Sequence, residues 1–190
     1  FTSQCQSKIL VKIIQNFLGK KRLPMLIIDN EKTVKNRTSF SARGAGILGL
    51  SNFGHSHTFV LDDHMNIDFK KLEDFSSKFT NQPKLIFGFT YMIWQHFIRQ
   101  LDMNNILINL ENSILFHSGG WKKLEKESIN NNSFKEKIRE LTKIKDIYNF
   151  YGMVEQVGSI FVECEYRHFH APSYSDIIIR DPHNFNILGG

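Results

Sequence analysis

Short apolar runs alternate along the chain with longer segments in which apolar residues recur at helical spacing. The first pattern is typical of buried β-strands and the second of amphipathic helices. Strands are predicted at residues 24–29, 58–61, 84–87, 114–116, 147–150, 160–162 and 176–179, and helices at residues 9–18, 69–79, 90–101 and 133–141. This alternation predicts an α/β domain whose layered sheet is largely parallel and flanked by helices.

Individual residues mark where these helices begin and end. Gly19 follows the first helix and is a good stop signal. Asp68 and Thr90 are predicted to cap the second and third helices. Ser133 and Glu136 have the spacing of a capping box, so the fourth helix is predicted to open there.

Two stretches between these elements are predicted to lack regular helix. Residues 41–54 contain four glycines, which favour a loop or a bent strand. Asn130-Asn131-Asn132 is predicted to be a polar surface loop. With no internal repeat and no true linker, residues 1–190 are expected to form a single α/β domain. Since the sequence starts without Met and stops at Gly189-Gly190, we expect it to be a piece of a longer protein.

Composition narrows the class of protein further. Of the 190 residues 41% are hydrophobic, yet no apolar run approaches the length of a membrane span, so a soluble chain is predicted. Only two cysteines are present, Cys5 and Cys164, which suits a reducing cytoplasm. The net charge of +5 is scattered, and its densest run, residues 19–22, is interpreted as a solvated helix end. A nucleic-acid partner is therefore not expected.

Two glycine-containing segments directly follow predicted strands. Tyr151-Gly152-Met153-Val154-Glu155 combines a ring that can pack on adenine, a flexible backbone and a carboxylate that can hold Mg²⁺. Gly119-Gly120-Trp121 lies about one βα unit upstream. Because ligands of open α/β sheets bind beyond the carboxyl ends of strands, both segments are expected to face one crevice. The alternative is an ordinary turn in which Tyr151 is core and Glu155 is exposed.

Other residues also carry two interpretations. Trp121 is either a wall of an adenine or acyl pocket or simply part of the core. Arg43 faces a substrate carboxylate or phosphate, or forms a structural salt bridge. Phe89 is a candidate wall of the substrate pocket. Residues 164–170 contain Cys164, His168 and His170, which are either zinc ligands or ordinary residues of a hairpin.

Four motifs together resemble those of a known enzyme family. They are residues 41–46 (Ser-Ala-Arg-Gly-Ala-Gly), 87–90 (Phe-Gly-Phe-Thr), 119–122 (Gly-Gly-Trp-Lys) and 150–159 (Phe-Tyr-Gly-Met-Val-Glu-Gln-Val-Gly-Ser). In this order they are similar to the acyl-protein synthetase (LuxE) family, of the adenylate-forming, acyl-CoA synthetase-like superfamily. The similarity runs from about Pro24 to Pro182. It implies a fold resembling part of the large N-terminal domain of adenylate-forming enzymes.

The resemblance also implies an activity. Members of this family activate a fatty acid with ATP and Mg²⁺ as an acyl-adenylate and pass the acyl group to a protein thiol, such as one on an acyl-CoA reductase-like partner or a carrier. Carried over by motif, Glu155 is the catalytic residue that binds Mg²⁺, and Gly119, Gly120, Trp121, Tyr151, Gly152 and Met153 bind ATP. Arg43 and Phe89 are the substrate-binding residues.

Two alternatives to this activity are kept. One is a related carboxylate:CoA ligase of the phenylacetate type. The other is a degenerate, non-catalytic acyl- or partner-binding module. The second is favoured by residues 1–8, which contain no Gly where the superfamily has a glycine-rich loop around the triphosphate.

Overall fold

A computed structural model describes residues 2–35, 41–121, 129–152 and 159–189, with side chains from residue 9 onward. The chain divides into two compact units. The larger unit is Leu18–Asn149, and the smaller unit combines Phe1–Phe17 with Phe150–Gly190.

Helices and strands alternate along the chain. The helices are α1 (Thr2–Leu18), α2 (Lys32–Lys35), α3 (Ala42–Ser51), α4 (Phe69–Lys78), α5 (Thr90–Met92), α6 (Arg99–Met103) and α7 (Asn131–Thr142), with a π-helical segment (Ile93–Ile98) between α5 and α6. The strands are β1 (Leu23–Asn30), β2 (Gly54–Leu61), β3 (Lys84–Phe89), β4 (Ser113–Ser118), β5 (Asp146–Tyr151), β6 (Phe161–Glu163), β7 (Phe169–His170), β8 (Ile179–Arg180) and β9 (Ile187–Gly189).

Seven strands form one sheet in the order β2-β1-β3-β4-β5-β6-β7. β1 pairs in parallel with β2 and with β3, and β3 pairs in parallel with β4. All eight positions of β1 are buried, as expected for a strand covered on both faces. The prediction of a layered α/β fold with a largely parallel sheet is therefore confirmed.

The core of the larger unit is built from the apolar positions that the sequence pattern predicted. Three helical segments each bury one apolar face. The buried residues are Leu72, Phe75 and Phe79 in the first segment, Phe97, Ile98 and Leu101 in the second, and Phe134, Ile138 and Leu141 in the third. The stop signal after the first helix is also confirmed, because α1 ends at Leu18 and Gly19 has φ of +75°. Asp68 caps α4 by accepting a hydrogen bond from the Lys71 N–H, as predicted.

The predicted loop or bent strand at residues 41–54 is wrong, because residues 42–51 form helix α3. Ser41 caps this helix, and its Oγ accepts a hydrogen bond from the Gly44 N–H at 3.1 Å. Its glycines serve close packing: a Cβ on Gly44 would lie 2.9 Å from the Thr33 carbonyl oxygen. A Cβ on Gly46 would lie 2.9 Å from Cζ of Phe89. Packing of this kind outweighs the weak helix propensity of glycine.

Two predicted helix starts also need correction. α7 begins at Asn131, and the side chain of Asn130 caps it by accepting from the Ser133 N–H. The capping box at Ser133 and the surface loop at residues 130–132 are therefore wrong, because asparagine is itself a strong N-cap. At the third helix the N-cap is Phe89, and the Thr90 side chain turns toward β4 instead of capping.

In the smaller unit the strands are short and antiparallel. Phe150 and Tyr151 of β5 pair with β6, and β6 pairs with β7. β8 and β9 form a separate two-stranded sheet. The strand predicted at residues 176–179 is wrong apart from Ile179, because Ile177 and Ile178 are exposed and have no buried face to hold them in a ladder. Within the described ranges, no helix is long and apolar enough to cross a bilayer.

Candidate functional site

The carboxyl ends of β3 and β4 bring Phe89 and the double glycine together. Phe89 pairs with Ser118 in the parallel register, so Gly119 is the first residue beyond the paired ends. Gly119 has φ of +80°, a conformation that favours glycine. A Cβ on Gly119 would lie 3.3 Å from Cδ1 of Phe89, so the ring covers the start of this turn.

Gly120 differs from Gly119 in having open space beside it. Among the described residues, no heavy atom lies within 4 Å of the position that a Cβ on Gly120 would take. Both glycines are exposed. The backbone of this turn is thus accessible to a ligand at Gly120 and packed against Phe89 at Gly119.

Trp121 follows the two glycines and packs edge-on against two other rings. Its centroid lies 5.9 Å from that of Trp94 and 5.9 Å from that of Phe134, at interplanar angles of 73° and 83°. Trp121 is partly buried against the apolar core of the larger unit. These contacts fix the ring whether or not its free surface also meets a ligand.

Arg43 lies on α3 and forms an ion pair with Asp29 at the carboxyl end of β1. Its Nε lies 3.2 Å from Oδ2 of Asp29, whose side chain is 2% exposed. The Arg43 guanidinium also donates to the Tyr91 hydroxyl at 3.0 Å and to Thr33 Oγ1 at 3.2 Å. The salt bridge that sequence analysis kept as one interpretation is therefore present, and it uses most of the arginine's donors.

A buried polar pair lies directly below the double-glycine turn. Oγ1 of Thr90 is 2.9 Å from Nδ1 of His117, and it donates to the Ser118 carbonyl oxygen at 3.2 Å. His117 is 1% exposed. Burial, with a smaller contribution from the charge of Lys135, lowers the pKa of His117 to about 3, so its imidazole is neutral near pH 7. This pair was not predicted from the sequence, although a histidine that interrupts an apolar strand next to two glycines is a usable signal.

In the smaller unit Tyr151 ends β5 with half of its surface exposed. One face of its ring stacks on Phe161, with centroids 6.2 Å apart and planes 29° apart. Gly152 is exposed and a Cβ there would meet Ile160 at an ordinary 3.5 Å. Met153 and Glu155, including the predicted magnesium ligand, lie outside the described residues.

Residues 164–168 form the turn of the β6–β7 hairpin. The Cys164 N–H donates to the His168 carbonyl, and the Arg167 N–H donates to the Cys164 carbonyl, both at 2.9 Å. Across the portion of the chain that the structure describes, no three His, Cys, Asp or Glu side chains are grouped so that they could hold a metal ion. The hairpin interpretation of this segment thus matches its backbone.

A cavity of about 830 Å³ opens at the carboxyl ends of β1 and β2 in the larger unit. No sequence motif points to it. Half of its described lining residues are charged: Glu31, Lys32, Lys35, Asp62, Asp63 and Lys71. All three lysines are paired: Lys32 with Asp63 at 2.5 Å, Lys35 with Glu31 at 2.8 Å and Lys71 with Asp68 at 3.2 Å. The cavity therefore has no excess of either charge to indicate a ligand.

Comparison with known proteins identifies the family of this chain. No curated protein matches the sequence significantly. The family model described as acyl-protein synthetase, LuxE, matches residues 1–190. The match extends over the whole chain, including the segments of both compact units. The chain belongs to the LuxE family of acyl-protein synthetases.

Proposed function

We propose that this protein uses ATP to activate a long-chain carboxylic acid and then transfers the acyl group to the thiol of a partner protein. In the first step a carboxylate oxygen attacks the α-phosphorus of ATP, the bond to the β-phosphate oxygen breaks, and pyrophosphate leaves. In the second step a thiolate attacks the acyl carbon and AMP leaves. The carboxylate is already ionised near neutral pH, so no general base is needed for the first step.

The accessible backbone of the double-glycine turn is the observation that supports this function most. No described side chain lies within 4 Å of the Cβ position of Gly120, and Phe89 packs against the preceding glycine. In the proposal, Gly119, Gly120 and Trp121 contact the nucleotide, and Phe89 lines the substrate pocket. Arg43 attracts the carboxylate of the acid substrate with the N–H groups that its ion pair with Asp29 leaves available.

In the smaller unit, the residues from Tyr151 onward are the nucleotide contacts that the family motif implies. The half-exposed ring of Tyr151 is suited to packing on adenine, and Gly152 and Met153 continue the same backbone. Glu155 is proposed to hold Mg²⁺, on the strength of the family motif. When bound, Mg²⁺ would neutralise negative charge on the phosphates. A cytoplasmic location belongs to the same proposal and rests on the low cysteine content.

The experiment that tests the function is isotope exchange between pyrophosphate and ATP with a panel of carboxylic acids. Return of label to ATP that requires a long-chain acid supports the proposed activation, whichever acceptor follows. Labelled acid is then offered with candidate partner proteins or with coenzyme A. Hydroxylamine-sensitive label on a protein supports the acyl-protein synthetase, whereas acyl-CoA as the product supports the phenylacetate-type ligase. No exchange with any acid would contradict both enzymes.

One observation favours a second function, that of a non-catalytic acyl- or partner-binding module. Helix α1 begins at Thr2, so the segment expected to carry the triphosphate loop is helical. Beyond its first turn, the backbone N–H groups of a helix are bound within the helix and cannot wrap a phosphate chain. Titration with ATP, with and without Mg²⁺, separates the two functions. Metal-dependent binding that is lost in Glu155→Gln supports the enzyme, and binding of fatty acid without any binding of ATP supports the module.

A further inference from the structure

The hydrogen-bond chain below the double-glycine turn has a definite direction. The Thr90 hydroxyl has one hydrogen, and the Ser118 carbonyl at 3.2 Å can only accept it. The remaining contact, 2.9 Å from Oγ1 to Nδ1 of His117, is then a donation from the imidazole to the hydroxyl. The chain therefore runs from His117 Nδ1–H to Thr90 Oγ1–H to the Ser118 carbonyl.

This direction requires one tautomer of a neutral imidazole. A proton on Nδ1 leaves Nε2 without one, and Nε2 is buried with no hydrogen-bond partner among the residues described. The ring of Phe134 packs on the imidazole with centroids 4.9 Å apart. The surroundings of Nε2 thus disfavour a second proton and keep the donor on Nδ1.

The Ser118 carbonyl is the last backbone group before the two glycines. Neither glycine has a Cβ to restrict its backbone, so this turn has more conformations open to it than any other dipeptide would have. Two consecutive residues oppose that freedom: Phe89 covers Gly119, and Thr90 holds the carbonyl before it. The turn is therefore clamped from β3 at its first peptide and left open at Gly120.

We propose that Thr90 and His117 are positioning residues, which hold the Gly119-Gly120 turn in the conformation that binds the nucleotide. This inference rests on the proposed function for its nucleotide and on the described hydrogen bonds for its geometry. Neither side chain is proposed to touch ATP. Loss of the clamp should weaken nucleotide binding more than it slows the chemical step, because the turn would have to be ordered by the ligand itself.

Matched substitutions at Thr90 test this role. Thr90→Val keeps the shape and removes the hydroxyl, whereas Thr90→Ser keeps the hydroxyl. In pyrophosphate exchange, Thr90→Val should raise the KM for ATP roughly three- to tenfold, the effect of losing one or two hydrogen bonds, with kcat within about twofold. Thr90→Ser should stay within about twofold of the wild type in both. His117→Phe, whose ring can pack on Phe134, should resemble Thr90→Val and provides the comparison if Thr90→Val does not fold.

Hydrogen exchange at the Gly119 and Gly120 amides gives a readout that does not depend on activity. We expect faster exchange at both amides in Thr90→Val and His117→Phe than in Thr90→Ser. Unchanged exchange in a folded variant would overturn the proposal, and so would faster exchange with an unchanged KM for ATP. If the wild type shows no pyrophosphate exchange with any acid, the proposed function has failed. The amide rates then decide alone whether the pair positions the turn.

Discussion

Nε of Arg43 lies 3.2 Å from Oδ2 of Asp29, and this ion pair joins helix α3 to the carboxyl end of the most buried strand. Oδ1 of Asp29 also accepts hydrogen bonds from the backbone N–H of Asn30 at 2.7 Å and from Oγ1 of Thr33 at 2.8 Å. The carboxylate is therefore fully engaged inside the protein. Removal of the arginine would leave a buried charge without its counter-ion.

We expect Arg43→Met to lower the free energy of unfolding by about 3 kcal/mol, the low end for a broken buried pair because Arg43 is partly exposed. The double variant Asp29→Asn/Arg43→Met should recover part of this loss. Urea denaturation measures both. If Arg43→Met is as stable as the wild type and only the KM for the carboxylic acid rises, Arg43 binds substrate and its ion pair contributes little to folding.

The glycines of α3 should respond in opposite directions to the same substitution. Gly46→Ala should destabilise the protein, because the new Cβ would lie 2.9 Å from the Phe89 ring. Gly49→Ala should stabilise it by about 0.5–1 kcal/mol, because its Cβ meets no described atom within 4 Å and alanine favours helix. Thermal unfolding compares the two. Equal shifts in Tm would contradict the view that position 46 requires glycine because the Phe89 ring packs against it.

Lys84 should be a structural residue in spite of its charge. Its side chain is 1% exposed, and Nζ donates to the carbonyls of Phe79, Gln82 and Glu111. Burial lowers the pKa of Lys84, but these carbonyls would be left unsatisfied without it. We predict that Lys84→Met lowers the free energy of unfolding by roughly 3 kcal/mol.

The matched control for that variant is Lys145→Met. Lys145 contacts the same residue, Glu111, but through an exposed side-chain pair at 3.1 Å. Its removal should change the free energy of unfolding by less than about 1 kcal/mol. Similar losses in the two variants, measured by denaturant unfolding, would refute the structural role of Lys84.

His117 should make stability depend on pH. Its pKa is about 3 in the folded protein and 6.5 in the ordinary reference, so between these values the unfolded chain binds more protons. Stability therefore falls as the pH drops below about 6.5. Between pH 7 and pH 5, protonation of His117 in the unfolded chain should lower the free energy of unfolding by roughly 2 kcal/mol. The variant His117→Asn should not show this decrease.

The control for this pH effect is Thr90→Val, which keeps the imidazole. Its free energy of unfolding should fall between pH 7 and pH 5 as steeply as that of the wild type. Urea midpoints collected at both pH values provide the comparison. An equal slope in His117→Asn would mean that another group causes the acid sensitivity.

Particular residues show how far the sequence could predict this structure. Apolar runs such as residues 24–29 identified the parallel strands, because burial on both faces leaves a continuous hydrophobic signal. The prediction for residues 41–54 was wrong because glycine has a low helix propensity. The packing of α3 against the Phe89 ring is a tertiary contact that local propensity does not include. The strand predicted at residues 176–179 was wrong because a run of apolar residues does not by itself show that either face of the segment is buried.

The candidate site was predictable in its positions and not in its contacts. Gly119 and Phe89 were singled out from their places after strands, and their packing follows from the parallel register. The bond between Thr90 and His117 joins residues 27 positions apart, a pairing that depends on the β3–β4 register and leaves no local pattern. Likewise, Asp29 as the partner of Arg43 emerges only when α3 is placed against β1.

Binding of ATP to Gly120→Leu, compared with Gly49→Leu, tests the proposed nucleotide site most directly. Among the described residues nothing lies within 4 Å of the Cβ position of either glycine, so both variants should fold, and a calorimetric titration in the presence of Mg²⁺ gives Kd for each. We predict that Gly49→Leu binds ATP as the wild type does and that Gly120→Leu binds at least about tenfold more weakly, because the new side chain occupies the approach to the backbone. Equal affinities in the two variants would contradict a nucleotide site at the double-glycine turn.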